Sequence, residues 1–291
     1  MKQAYAHIKL LRPWQWTKNV LVFAALLFSE HIFDVHLVLQ TVAAFLLFCL
    51  LSSSVYVMND ILDIDNDRNH PVKKNRPLPS GRISISTGWA IFAILAGGTL
   101  LNIFWLSREL FYVSLIYFVK QIAYSLGLKK VVVLDVLLLS FGFLLRVIAG
   151  ALVINVEISS WLIICTFFLA LFLSLCKRRN ELTSLENNAS EHRQVLAEYS
   201  PYLLDQMVSV VTASAVISYA MYTLSQQTIE KFGTTNLIYT VPFVVYGIFR
   251  YLYLVHKQHK GGAPEMTLLT DIPLISDIIL WIVAAGLIIY L

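Results

Sequence analysis

Four oxygen-bearing side chains recur with helical spacing near residue 60: Asn59, Asp60, Asp63 and Asp67. If one helix runs through them, its rotation of about 100° per residue places all four on one face, with Asp65 on the far side. Carboxylates this close repel one another unless a cation lies among them, and hard oxygen ligands favour Mg²⁺. The spacing therefore predicts a divalent metal site in which these four residues are both the metal ligands and the catalytic set. Mg²⁺ is the expected ion and Mn²⁺ the alternative.

A basic loop follows this acidic face directly. It runs from Arg68 to Arg82 and contains His70, Lys73 and Arg76, together with three prolines that restrict its conformation. Cations beside a metal-binding face suit a ligand that is both metal-bound and polyanionic, such as a diphosphate. The two segments together predict a metal-diphosphate site. For His70, a role in capping or packing the loop stays open beside donor binding.

A resemblance to the UbiA superfamily of intramembrane prenyltransferases is carried by two motifs, Asn59-Asp60-x-x-Asp63-x-x-x-Asp67 and Arg76-Pro77-x-x-Ser80-Gly81. The resemblance covers essentially the whole chain. It implies a membrane enzyme with an all-α fold, in which nine transmembrane helices surround a central cavity. It also implies one UbiA-like domain over residues 1–291, with the N-terminus in the cytoplasm.

The second acidic motif of that superfamily is missing here. Ordinary members carry a DxxxD pattern after the sixth span, which binds a second Mg²⁺. This chain has Lys177, Arg178 and Arg179 in that place, followed by Glu181. Such cations can bind a phosphate directly instead of through a metal. A stretch that only keeps the loop in the cytoplasm is the alternative reading of these residues.

Further segments are similar to the decaprenyl-phosphate phosphoribosyltransferase branch of the superfamily. They are Arg12 to Asn19, His70-Pro71-x-Lys73, Tyr124 to Lys129, Arg146 to Ala151 and Gly247 to Tyr253. That branch transfers 5-phosphoribose from phosphoribosyl diphosphate (PRPP) to a polyprenyl phosphate such as decaprenyl phosphate, releasing diphosphate, and supplies a precursor of lipid-linked arabinose for the cell wall. The resemblance thus implies a Mg²⁺-dependent pentosyltransferase. Its partners are these two substrates and the lipid bilayer, without nucleic acid, and a homo-oligomer stays open.

Three anionic groups must be held in such a reaction: the donor diphosphate, the donor 5-phosphate and the lipid phosphate. The predicted substrate-binding residues are Lys18, His70, Lys73, Arg76, Tyr124, Lys129, Asp135, Arg146, Lys177, Arg178, Arg179 and Glu181. For Asp135, an ion pair with Lys129 or Lys130 is the alternative. Lys120 departs from the branch's pattern, and it either binds an anion or extends to the interface.

Apolar runs must position these side chains. The chain has 291 residues, 58% hydrophobic and 14% charged, and a mean hydropathy of +0.70, which exceeds that of soluble domains. Nine predicted spans of bilayer length cover residues 19–30, 35–58, 86–106, 110–127, 132–154, 158–176, 205–226, 236–256 and 274–291. The acidic face lies at the end of the second span and the cationic cluster at the end of the sixth.

Charge then predicts the orientation, because short loops rich in Lys and Arg stay in the cytoplasm. Most of the 22 basic residues fall in the N-terminal segment, in the turn at residues 129–130, or in the loops 59–85, 177–204 and 257–273. These segments are all predicted to lie on the cytoplasmic side of the cell membrane. The active site is therefore expected at that face.

Three other functions compete with this one. A structural or scaffolding membrane protein is disfavoured because it would have no reason to gather four metal-compatible side chains on one helix face. A prenyltransferase that attaches a prenyl chain to an aromatic or quinone precursor is disfavoured by the missing DxxxD pattern. A transporter is disfavoured because the polar residues cluster at one interface and no internal repeat is evident.

Overall fold

The structure is a computed structural model that describes residues 2–29, 31–185, 194–258, 261–262 and 264–290. Parts of two predicted cytoplasmic loops, at 186–193, 259–260 and 263, lie outside the described residues. Throughout these ranges the regular structure is helical and contains no strand, which confirms the all-α prediction.

The chain forms two compact units. The first contains Met1–Lys129 and Leu145–Val156, and the second contains Lys130–Leu144 and Glu157–Leu291. One helix, Leu134–Val153, contributes residues to both units. The single domain over residues 1–291 stays a prediction.

The first unit is built around one long helix that packs against a second helix and a 3₁₀ segment. Its elements are α1 (Lys2–Leu11), the 3₁₀ segment (Pro13–Phe23), α2 (Ala24–Leu27), α3 (Val35–Leu62), α4 (Ile64–Asn69), a 3₁₀ turn (Lys73–Asn75), α5 (Ile85–Leu106), α6 (Arg108–Leu126), the first two residues of a 3₁₀ turn (Leu128–Lys130) and the second half of α7 (Leu134–Val153). Side chains at the first turns explain where three helices begin, because Asp34, Ser84 and Ser107 each accept a backbone N–H as N-caps. The long helix α3 packs along α5 and against the 3₁₀ segment.

The second unit has a large apolar core between its long helices. Its elements are the first half of α7, α8 (Ser160–Leu185), a 3₁₀ turn (Gln194–Glu198), α9 (Pro201–Leu224), α10 (Gln226–Phe232), a 3₁₀ turn (Asn236–Thr240), α11 (Val241–Gln258), α12 (Pro264–Thr270) and α13 (Ile272–Tyr290). Buried Leu175, Leu204 and Leu254 belong to one cluster in this core. Ser200 caps α9, and Pro201 supplies the preset backbone angle of its first turn.

Seven of the described helices are long and apolar enough to cross a bilayer. The prediction of a multi-pass membrane protein is confirmed at that level. The predicted span 110–127 corresponds to α6, where Lys120 and Gln121 lower the hydropathy. The predicted span 19–30 is wrong as a single helix, because the chain forms the 3₁₀ segment Pro13–Phe23 and then the short α2.

A close backbone contact holds the 3₁₀ segment in place. A Cβ atom at Gly150 of α7 would lie 1.9 Å from the carbonyl oxygen of Val22. No side chain fits between them, so glycine is required where α7 meets this segment. In the same 3₁₀ segment, Asn19 is completely buried.

Candidate active site

The acidic segment continues the long helix, as its spacing predicted. Helix α3 ends at Leu62 and α4 begins at Ile64, but the helical hydrogen bonds bridge the junction: Asp63 N donates to the Asn59 carbonyl at 2.9 Å, and Asp67 N donates to the Asp63 carbonyl at 2.8 Å. Asp65 points away from the other carboxylates, with 88% of its side chain exposed and Arg68 as its partner.

Two of the carboxylates are buried around one guanidinium group. Asp60 is 1% exposed, and its Oδ1 accepts a hydrogen bond from Arg76 Nη1 at 3.0 Å. The same nitrogen lies 2.6 Å from Oδ2 of Asp67, which is also buried. Buried carboxylates are stable only when they are paired and hydrogen-bonded. Arg76 therefore binds together the two aspartates that begin and end the acidic face.

The other predicted members of this site surround the pair. Asp63 accepts two hydrogen bonds from Lys129 Nζ, at 2.8 and 3.0 Å. Lys73 Nζ lies 3.8 Å from Asp67, and Asn59 is half-buried one residue before Asp60. The structure thus brings the acidic face, Lys73 and Arg76 of the basic loop, and Lys129 into one cluster.

Arg12 is a member of this cluster that the sequence analysis did not single out. Its guanidinium donates to Asp60 Oδ1, the oxygen that Arg76 also contacts, and lies 5.2 Å from the centre of the Tyr56 ring. Its backbone is left-handed, with a φ of 52°. The residue stands in a segment that carried the branch resemblance, but only the fold brings it to a carboxylate 48 positions away.

Three further predicted residues of the first unit have other surroundings. His70 Nδ1 accepts hydrogen bonds from the backbone N–H groups of Val72 and Lys73, at 3.1 and 3.3 Å, which is the loop-capping role left open above. Lys18 Nζ donates to Gln15. Tyr124 is half-buried near the end of α6. Their contacts with a substrate stay predictions.

Deeper in the first unit, Arg146 lies in a polar network. Its Nε donates to Asn19 Oδ1 at 2.6 Å and its Nη2 to the Tyr117 hydroxyl at 3.0 Å. Asn19 in turn donates to Ser52 at 3.2 Å. Lys120 Nζ lies 5.3 Å from the centre of the same Tyr117 ring, so Lys120 faces the protein. Arg146 meets the expectation that an intramembrane cation has polar partners.

The second unit contains a separate buried ion pair. Arg178 Nε lies 2.7 Å from Oδ2 of Asp135, and the two side chains are 1% and 0% exposed. The Tyr199 hydroxyl donates to the other oxygen of Asp135 at 2.8 Å and accepts from the backbone N–H of Val133 at 2.8 Å. Arg178 also contacts Glu181. The ion pair suggested for Asp135 with Lys129 or Lys130 is therefore wrong, because Asp135 pairs with Arg178.

Burial and the Asp135 hydrogen bond raise the pKa of the Tyr199 phenol, so this hydroxyl remains a donor at neutral pH. The hydrogen bond that this hydroxyl accepts from Val133 N–H stabilises a strained backbone conformation. Val133 has a φ of 66°, which is unfavourable for a β-branched residue. The Asp135, Arg178 and Tyr199 side chains thus hold the start of α7 and the end of α8 together. The predicted phosphate contact of Arg178 would have to break these bonds.

The other two cations of the basic stretch Lys177 to Arg179 lie at the same end of α8. Arg179 donates to both carboxylate oxygens of Asp205, and His256 Nε2 lies 3.3 Å from that carboxylate. Lys177 is half-buried on the same helix. The neighbouring membrane helices show a similar pairing, since Arg250 donates to Asp271 at 3.0 and 2.9 Å.

The chemistry of the acidic cluster fits a hard divalent ion, because its ligands are carboxylate and amide oxygens. Within the described ranges, no three His, Cys, Asp or Glu side chains already form a ligand group. Each carboxylate instead contacts Arg12, Arg76 or Lys129. Metal binding by Asn59, Asp60, Asp63 and Asp67 therefore needs a local exchange of partners.

Comparison with known proteins decides the family. Residues 20–270 match the UbiA prenyltransferase family, which is most of the chain. The chain belongs to the UbiA prenyltransferase family. The prediction of a transferase enzyme is confirmed with it, as is the resemblance stated from the two motifs.

Two relatives and one solved structure refine this UbiA assignment. The decaprenyl-phosphate phosphoribosyltransferase of Corynebacterium glutamicum is 33% identical over 91% of this chain and 80% of its own length. The enzyme of the same name from Mycolicibacterium smegmatis is 32% identical over 97% of this chain and 92% of its own. A UbiA homolog from Archaeoglobus fulgidus, solved bound to GPP and Mg²⁺, has a TM-score of 0.73 at 19% identity and covers 98% of this chain and 100% of that one. The last likeness establishes the fold.

Proposed function

We propose that this UbiA member transfers 5-phosphoribose from PRPP to a polyprenyl phosphate, such as decaprenyl phosphate, and releases diphosphate. The observation that carries the proposal is the likeness to two named phosphoribosyltransferases over nearly the whole chain. The site adds a chemical reason. The first unit of the chain combines clustered carboxylates with cations. In the sequence, the basic stretch Lys177 to Arg179 stands where the superfamily's second acidic motif is expected.

A divalent ion, Mg²⁺ with Mn²⁺ as the alternative, is part of this proposal, and Asn59, Asp60, Asp63 and Asp67 are its proposed ligands. When bound there, the ion would supply positive charge that neutralises the leaving diphosphate. Arg76, Lys73 and Lys129 already lie against the carboxylates that hold it. The same three side chains would lie near a diphosphate bound to that ion, where they would stabilise the negative charge that develops on it.

The bonding changes balance without a redox partner. The bond from ribose C1 to the diphosphate oxygen breaks, and the electron pair leaves with diphosphate. A bond forms between C1 and an oxygen of the lipid phosphate, which attacks from the opposite face and inverts the anomeric centre. That oxygen is already anionic at neutral pH, so the chain needs to position the acceptor but not to remove a proton from it.

The topology is part of the proposal as well: nine membrane crossings, with the N-terminus and the active site on the cytoplasmic side of the cell membrane. Seven helices meet the requirements for a span. Helix α6 has 19 residues and so reaches about 28 Å at the α-helical rise. The 3₁₀ segment of 11 residues and the four-residue α2 together reach about the same length. Both are close to the roughly 30 Å of a hydrocarbon core.

The decisive experiment uses membranes that contain the chain, PRPP labelled in the ribose, and added polyprenyl phosphate. We expect label to enter the organic phase, and we expect this incorporation to stop with EDTA and in Asp60→Ala and Asp63→Ala. Asp65→Ala is the matched control, because Asp65 is exposed and faces away from the cluster.

The alternative activity is tested in parallel with a labelled prenyl diphosphate and an aromatic or quinone precursor. Prenyl incorporation into the ring, with no ribose label in lipid, would replace the proposed reaction by that one. Absence of both products from a correctly folded chain would remove both.

A further inference from the structure

Arg12 is held against the acidic cluster by its surroundings. Next to it, the Leu11 carbonyl accepts a hydrogen bond from Ser53 Oγ at 2.7 Å, and Trp16 Nε1 donates to the same Ser53 at 3.0 Å. The left-handed backbone of Arg12, with φ 52°, is costly for a residue with a side chain. These contacts fix the chain at that point and direct the guanidinium to Asp60.

The cations of the cluster are at least as many as its carboxylates, because Lys73 Nζ also lies 3.8 Å from Asp67. These carboxylates are Asp60, Asp63 and Asp67, and the cations in hydrogen-bond contact with them are Arg12, Arg76 and Lys129. A divalent ion that entered alone would add charge beside these cations and would compete with them for the same oxygens. A divalent ion that enters with diphosphate brings its own negative charge, which gives the displaced cations a new partner.

At Asp60, a divalent ion would have to compete with two cations for the same carboxylate oxygen. One of its oxygens, Oδ1, accepts from both Arg12 and Arg76, and the carboxylate is buried. Arg76 remains anchored by Asp67 at 2.6 Å if it leaves Asp60. Arg12 is the cation whose transfer frees Asp60. Its planar fork of donors matches a diphosphate as well as it matches a carboxylate.

We propose that Arg12 is an exchangeable counter-ion of Asp60, which occupies this carboxylate in the free protein and moves to the diphosphate when metal and diphosphate bind together. This rests on the proposed metal-diphosphate site. It makes Arg12 a determinant of binding order: the metal binds weakly by itself and strongly with diphosphate.

The test measures binding without turnover. Free Mn²⁺ is followed by electron paramagnetic resonance with the purified full chain in nanodiscs, with and without inorganic diphosphate, relative to protein-free mixtures because diphosphate itself binds Mn²⁺. For the unaltered protein we expect diphosphate to tighten Mn²⁺ binding by at least about tenfold, which is modest for charges at contact distance. In Arg12→Gln, we expect Mn²⁺ alone to bind at least about tenfold more tightly and the gain from diphosphate to shrink, because one cation has been removed.

Two variants control this result. Arg12→Lys keeps the charge but loses the fork, so it should restore weak binding of Mn²⁺ alone and leave the gain from diphosphate reduced. Arg68→Gln removes a cation whose partner is the outward-facing Asp65, and should match the unaltered protein in both titrations.

Three outcomes separate the possibilities. Arg12→Gln with unchanged or weaker binding of Mn²⁺ alone overturns the exchange, provided that Arg12→Gln elutes as a folded protein. An undiminished gain from diphosphate in Arg12→Gln also overturns it. If the unaltered protein binds no Mn²⁺ in either titration, the metal-diphosphate site itself fails, and the exchange fails with it. Ribose incorporation into lipid, measured separately, is not needed for any of these outcomes.

Discussion

Replacement of Asp135 by Asn tests whether the basic stretch at the end of α8 is structural or binds substrate. The substitution preserves shape but removes the charge that neutralises Arg178, and both side chains are almost completely inaccessible, at 0% and 1%. Removing one partner of a buried ion pair costs roughly 3–5 kcal/mol, because the other charge stays buried. Glu181 also contacts Arg178 and keeps part of the compensation, so we expect about 3 kcal/mol, the lower end of that range.

This loss should be visible as a lower unfolding temperature. For a unit of this size, 1 kcal/mol corresponds to about 2–4 °C, which gives a decrease of roughly 6–12 °C for Asp135→Asn. The assay is thermal unfolding of the purified protein in one detergent, followed by intrinsic fluorescence. Asp65→Asn is the control, since its ion pair with Arg68 is exposed and should not change the unfolding temperature measurably.

A companion variant separates charge from hydrogen bonding. Tyr199→Phe leaves the ion pair intact but removes one hydrogen bond to Asp135 and the acceptor of the Val133 N–H group. We expect a smaller destabilisation than for Asp135→Asn, on the order of 1–3 kcal/mol. If Asp135→Asn unfolds at the parent's temperature and yet loses ribose transfer, the structural reasoning is refuted and Asp135 acts on a ligand.

Three more predictions follow from contacts described above. Gly150→Ala should reduce the folded yield sharply, because its Cβ would lie 1.9 Å from the Val22 carbonyl oxygen. Gly97→Ala is the control and should fold normally, because the space around its Cβ is open. Size-exclusion chromatography compares the folded yields of the two variants. Asp271→Ala removes the partner of Arg250 and the acceptor of the first-turn N–H of α13, and thermal unfolding should show a loss of about 1–2 kcal/mol from the cap alone. Lys129→Met should raise the KM for PRPP more than it lowers kcat if its cation binds the ground-state diphosphate, and an unchanged KM in initial-rate measurements would contradict that role.

Most of what could be read from the sequence depends on local periodicity. Apolar runs of bilayer length predicted the long helices, and their observed bounds differ from the predicted ones by a few residues in most cases, as for 86–106 and Ile85–Leu106. The acidic face followed from helical spacing alone. The helical hydrogen bonds continue across Asp63, although Asp63 itself ends α3 and separates it from α4.

Where the periodicity was weak, the prediction was less successful. The run 19–30 is apolar, but the chain forms 3₁₀ structure up to Phe23, and the tight approach of Gly150 to Val22 accompanies that geometry. Such an approach depends on two segments far apart in the chain. No local pattern in either segment predicts the contact between Gly150 and Val22.

Partner choice among the charges was decided only by the tertiary structure. The sequence predicted that Asp60, Arg76 and Lys129 belong to one site. It did not indicate that Arg12 pairs with Asp60, 48 positions away, or that Arg146 donates to Asn19, 127 positions away. Asp135 similarly takes Arg178, 43 positions away, in place of the lysines next to it. A cation can pair with any carboxylate that packing brings within reach and desolvates, so residue type alone cannot select the partner. The sequence by itself determined which chemical groups are present and which helix carries them, whereas the packing of distant segments decided which charge neutralises which.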